Sequence, residues 1–178
     1  MNKSTPDRIT KQIEIAASVS RVWRAITDFR EFGQWFRVNL EGPFVVGEVA
    51  RGQITYPGYE HVTMEVIVES IEPEHRFAFW WRPYAIDPTI DYSSEPRTLV
   101  EFTLEASTTG TLLRVTESGF DGIPAHRRDE AFRMNDGGWA AEMKNVIGRL
   151  QGFFALQVVP QPQDVLSDRP VRKEGGIR

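Results

Sequence analysis

Apolar and polar positions alternate over residues 8–15 (RITKQIEI), where Ile9, Ile13 and Ile15 share a parity, so the first element reads as a β-strand. The period then changes. Val19, Val22, Trp23 and Ile26 recur at helical spacing behind Ser18, a residue suited to an N-cap. Phe29, Phe32, Trp35 and Phe36 extend the apolar face into a second short helix, expected to break near Gly33. From Gly47 the two-residue period returns. Strands are predicted over 47–56, 60–71, 76–84, 98–106 and 112–118, punctuated by Pro57-Gly58, Pro73 and Thr108-Thr109-Gly110. In the 60–71 strand, Val62, Met64, Val66 and Val68 point one way and Thr63, Glu65 and Glu69 the other. In the 76–84 strand, Phe77, Phe79 and Trp81 oppose Trp80 and Arg82.

The last third is helical. Pro124 opens a helix through AHRRDEAFRM, and Asn135 or Asp136 is expected to cap a further one. There Trp139, Met143, Val146, Leu150 and Phe153 form an apolar stripe that Ile147 and Phe154 widen. Glu142, Lys144, Asn145, Arg149 and Gln151 keep the other side polar. Gly137-Gly138 reads as a tight helix entry whose small residues let the backbone approach the sheet. Beyond Pro160 the chain is polar, contains prolines and loses its period, which predicts a weakly structured tail. The expected organisation is one α+β domain over 8–158 and a tail over 159–178. A sheet with one apolar face must bury it, and the long helix is the only large element available. That helix is about 10 Å wide, whereas six strands at ~4.8 Å spacing span far more. The sheet is therefore expected to curl around the helix and leave an apolar hollow.

Composition narrows the class. The 178 residues, 40% hydrophobic and 26% charged, suit one soluble domain with a sizeable core. A formal net charge of −4 argues against a nucleic-acid surface. The absence of cysteine excludes disulfides, thiolate nucleophiles and thiolate metal sites. The opening MNKSTPDRITKQ lacks an apolar secretory core, and no apolar run nears the ~20 residues a membrane span needs. A cytoplasmic location is the expectation.

Taken in order, VWRAITDFREFGQWF, FAFWWRPYAIDP, EPRTLVEFTLE, TLLRVTESGF and RMNDGGWAAEMKNVIGRL resemble the activator of heat-shock protein 90 ATPase homologue family. The resemblance covers residues 8–155 and rests on the succession of these segments. It implies membership of the START-like, polyketide-cyclase-like (SRPBCC) superfamily and its helix-grip fold. Relatives in that superfamily bind lipids, sterols, polyketides or other apolar molecules in a central cavity, and some act as cyclases or dehydratases. The eukaryotic namesake stimulates a chaperone ATPase with the help of a separate N-terminal domain, for which this chain is too short. A chaperone partner accordingly draws little support from the resemblance.

The candidate chemistry is that of a ligand pocket. Flat aromatic rings both pack cores and wall apolar sites, and such sites add a few placed polar groups. The ligand-binding candidates are Trp35, Phe36, Met64, Phe79, Trp81, Arg82, Tyr84, Phe102, Trp139 and Met143, with Arg82 or Arg51 offering a guanidinium fork to a ligand anion. Tyr84, Asp87, Asp91 and Tyr92 lie in a long connection of the kind that serves as a lid or binding loop. His61, His75 and His126 are scattered without metal-ligand spacing, so neither a metal nor a cofactor is expected. No catalytic set is recognised; His61 and Glu65 are the nearest acid–base candidates, and parity turns Glu65 outward. The predicted function is binding of a small hydrophobic or aromatic ligand. The alternatives are a cyclase- or dehydratase-type enzyme and a co-chaperone-like interaction module. Trp80 leaves a homodimer open.

Overall fold

The computed structural model describes residues 6–151. The predicted tail, the boundary at 158 and the Phe153 and Phe154 end of the helical stripe lie outside the described residues. The elements run β1 (Arg8–Ile15), α1 (Val19–Thr27), α2 (Phe29–Phe36), β2 (Val38–Leu40), β3 (Val49–Ile54), β4 (Thr63–Glu72), β5 (Arg76–Trp81), β6 (Thr98–Ala106) and β7 (Thr111–Ser118). A 3-10 turn (Phe120–Gly122) leads to the long helix α3 (Ala125–Gln151). The seven strands form one antiparallel sheet in the order β1-β7-β6-β5-β4-β3-β2. This curved sheet with its long C-terminal helix is the helix-grip, α+β architecture.

The caps follow from the side chains. Ser18 accepts from the Arg21 N–H at 3.2 Å and starts α1. Asp28 accepts from the N–H groups of Arg30 (2.9 Å) and Glu31 (3.0 Å) and starts α2. The expected break at Gly33 does not occur: α2 runs through it to Phe36 and stops at Arg37, which is left-handed (φ 59°). Gly33 serves the return of the chain. A Cβ there would sit 2.3 Å from the Val38 carbonyl oxygen, so only glycine lets β2 come back against the helix. Strand β2 itself escaped prediction, because its three residues are too few to display a two-residue period.

The largest departure lies in α3. Two helices were expected, and the structure has one of 27 residues. Arg127, Ala131, Trp139, Met143 and Val146 are all buried along it, and Asn135 falls midway between Ala131 and Trp139 on the same line. That continuous i, i+4 stripe holds the helix together across the expected cap. Neither expected cap residue caps: Asn135 bonds across to β7, and Asp136 pairs with Lys11 of β1 at 2.8 Å. Gly137 and Gly138 are exposed, and a Cβ on either would meet nothing within 4 Å. They do not ease an approach to the sheet.

Candidate functional site

Strand register decides what meets at the centre. Residues two apart share a face, so Phe77, Phe79 and Trp81 of β5 point inward. So do Thr98, Val100 and Phe102 of β6, and Leu113, Val115 and Glu117 of β7. Trp81 lies opposite Thr98, and Val100 lies opposite Glu117. Trp81, Thr98 and Glu117 are therefore brought to one end of the inner face. Helix α3 lays Asn135 and Trp139, one turn apart, across it.

Glu117 is fully buried, and both its oxygens are occupied. Oε1 accepts from Trp81 Nε1 at 2.7 Å, Thr98 Oγ1 at 2.6 Å and Asn135 Nδ2 at 3.1 Å. Oε2 accepts from Trp139 Nε1 at 2.7 Å and from Asn135 Nδ2 at 3.0 Å. Burial pushes its carboxyl above the ordinary range, and the hydrogen bonds from Thr98, Trp139, Trp81 and Asn135 oppose that rise. Among the described residues no basic side chain pairs with it. Lys11, opposite Val115 on the neighbouring strand, is engaged by Asp136.

The two indoles that bond Glu117 belong to an aromatic cluster. Trp81 and Trp139 have ring centroids 5.6 Å apart, and Phe36 reaches both, at 6.2 and 6.1 Å. Phe102 meets Trp139 edge-on at 5.8 Å and Trp35 at 6.3 Å, while Phe79 contacts Trp81 at 5.8 Å. Met64 and Met143 are buried in the same core. Phe79 and Phe102 are fully buried packing residues, whereas Phe36 and Trp81 keep part of their surface open.

Eight of the ten predicted ligand residues thus share the inner core between sheet and helices. The other two stand apart. Arg82 lies with Trp80 on the outer side, where it approaches Glu65 (3.9 Å) and donates to the Ser93 carbonyl at 2.7 Å. Arg51 pairs with the same Glu65 at 2.9 Å, so neither arginine enters the inner face. Trp80 bonds Glu69 at 2.7 Å and is half-buried. His61 is exposed, with its ring against the Ile86 carbonyl. Tyr84 sits in the 82–97 connection in a left-handed conformation (φ 50°), and burial, helped by nearby Tyr59 and Glu130, raises its hydroxyl above the usual range.

That connection is fastened to α3. Arg127 forms an enclosed ion pair with Glu95, donates to the Pro83 carbonyl at 2.8 Å and lies 4.8 Å over the Tyr92 ring. Further along α3, the Glu142 carboxyl is closely surrounded although the residue is only half-buried. Burial pushes it up to about 8, against a 3.2 Å bond from Asn145 and the charge of Arg37. A separate open groove of about 490 Å³ runs along α2 and the β2 edge, past Phe29, Gly33, Val38 and Leu40. None of the ten predicted ligand residues lines it.

Sequence reasoning passed over Glu117, Asn135, Thr98 and Arg127. The signal for Glu117 was present, since it shares parity with Leu113 and Val115 in a strand already recognised.

A family model described as Activator of Hsp90 ATPase homolog 1-like protein matches residues 16–149. The chain belongs to this family. Its fold recurs in solved structures of low sequence identity. Protein MLL2253 from Mesorhizobium loti superposes with a TM-score of 0.65 at 22% identity, covering 82% of this chain and 98% of that one. DynU16, described as a putative protein in the dynemicin biosynthetic locus, gives 0.64 at 24% identity over 83% of this chain and 48% of its own. The Aha1 dimer from Colwellia psychrerythraea gives 0.61 at 19% identity, covering 80% and 95%. No curated protein matches the chain in sequence. Among the described residues, no helix is long and apolar enough to cross a membrane.

Proposed function

We propose that this family member binds a small hydrophobic or aromatic molecule between the inner face of its sheet and α3, against Phe36, Trp81 and Trp139. The observation that carries the reading is the pinning of two indoles by one buried carboxylate. A core that only needed filling gains little from burying a charge, since apolar residues of similar volume commonly do as well or better. A site that must present two flat rings in fixed orientation gains from hydrogen bonds that lock both. The open surface on Phe36 and Trp81 gives a ligand something to rest on, and the surrounding Phe102, Met64 and Met143 supply apolar walls.

Holding is favoured over transforming. Glu117 is the acidic residue that meets the two indoles, and its oxygens are engaged by four donors. It is poorly placed to exchange protons with a substrate. Glu65, the other carboxylate considered, faces outward beside Arg51. The superfamily to which the family belongs includes apolar-ligand binders and cyclase-like members, which supports the class of ligand and leaves its identity to experiment. The test is native mass spectrometry of the full chain after exposure to mixtures of aromatic compounds and fatty acids. A retained ligand is expected, lost on Trp81→Ala. Absence of any retained ligand from both mixtures contradicts the reading.

A further inference from the structure

We propose that the preferred ligand is an organic cation, an ammonium group carried on an apolar or aromatic body, seated on the open surface of Trp81 beside Phe36 and drawn there by the Glu117 carboxylate. This rests on the binding site proposed above and specifies its chemistry. Four observations converge on it.

The shell around Glu117 matches an ionised carboxylate. The two indole N–H groups can only donate, and the Asn135 amide and the Thr98 hydroxyl donate as placed, so every polar neighbour of Glu117 offers it a proton. The charge has neutral neighbours. No basic side chain among the described residues pairs with it, and Lys11 is taken by Asp136. An anion held in an apolar core by dipoles alone leaves a negative potential that a desolvated cation would meet favourably. The surface over the carboxylate is aromatic, and ring faces attract cations, tryptophan most strongly. Finally, the indoles are those whose N–H groups donate to the carboxylate. Such donation pushes electron density into the ring and makes its face more negative, so the two attractions reinforce each other. Phe36, in contact with both rings, closes a third side.

A cation on the open face of Trp81 would lie roughly 7 Å from the carboxylate, close enough for a sizeable attraction at low effective dielectric. At an effective dielectric of about 20, that attraction corresponds to a preference on the order of tenfold to a hundredfold over a neutral molecule of the same shape. The experiment uses such a matched pair, para-(trimethylammonio)phenol and para-tert-butylphenol, titrated into the full-length chain by calorimetry. The expected result is at least about tenfold tighter binding of the ammonium compound, with the ratio between the two compounds falling to about one in Glu117→Gln whatever the variant does to both affinities. Equal or tighter binding of the neutral compound overturns the inference and leaves the apolar site standing. A preference that survives Glu117→Gln overturns the role given to the carboxylate. Binding of neither compound counts against the apolar site itself, and the inference falls with it. The wild-type comparison decides the matter even where the variant fails to fold.

Discussion

Glu117 is where a single residue matters most to this protein. Replacing it with leucine would strand two indole N–H groups, an amide and a hydroxyl in the core without acceptors. Each orphaned donor costs about 1–3 kcal/mol, part of which the leucine recovers by burial. Glu117→Leu is therefore expected to lose about 3–5 kcal/mol in urea denaturation; a loss under about 1 kcal/mol would mean that the network holds nothing. Glu142 carries a different prediction. Its carboxyl is raised to about 8 from an ordinary 4.5, so the folded chain keeps a proton that the unfolded chain releases. The stability this confers is complete below about 4.5 and is lost as the pH rises towards about 8. Denaturation midpoints followed across that window should fall, and Glu142→Gln should flatten part of the decline. An unchanged slope in the variant would place the titration elsewhere. Neither carboxylate's role was legible beforehand, for different reasons. The parity that buries Glu117 can be read from TLLRVTES, but its four partners come from β5, β6 and α3, and no local pattern announces such a meeting.

At the scale of elements, the alternating strands were readable because one face is buried and the other wet, which is the condition that writes a period into sequence. The ends were harder. Strand β5 stops at Trp81 and the 82–97 connection takes over, held by Arg127 through Glu95 and two carbonyls. Arg127→Met is expected to release that connection, and amide exchange over 82–97 should quicken while the β6 and β7 amides stay protected. Uniform exchange across all three segments would show that the arginine supports the whole core. Helix α3 misled through its glycines and its asparagine, which locally favour a cap or an entry. The stripe from Arg127 to Val146 outweighed them. Because Gly137 and Gly138 face open space, Gly137→Ala and Gly138→Ala should each stabilise the chain by about 1 kcal/mol in urea denaturation. Gly33→Ala should do the reverse, since its Cβ would strike the Val38 carbonyl. A neutral Gly33→Ala would show that β2 yields easily.

For the whole molecule, the geometric argument that a wide sheet must curl around one helix led to the observed architecture, and the family resemblance agrees with the family match over 16–149. The aromatic core was legible as a set, since eight of the ten named residues gather there. Arg82 does not join them: it lies outward with Trp80 beside Glu65, as the alternation along the strand already indicated. What separates a packed core from a ligand site is whether its open rings respond to a guest, and the five tryptophans provide the reporters. Trp81 and Trp139 bond Glu117 at the centre, Trp35 bonds the Ala25 carbonyl within the helices, and Trp80 bonds Glu69 on the outer face. The most direct measurement follows the indole N–H resonances of the full-length chain by nitrogen–proton correlation NMR while para-tert-butylphenol is added. Saturable shifts of Trp81 and Trp139, with Trp80 unmoved, are the expected result. Movement of Trp80 alone, or no movement at all, would contradict a binding site between the sheet and its helix.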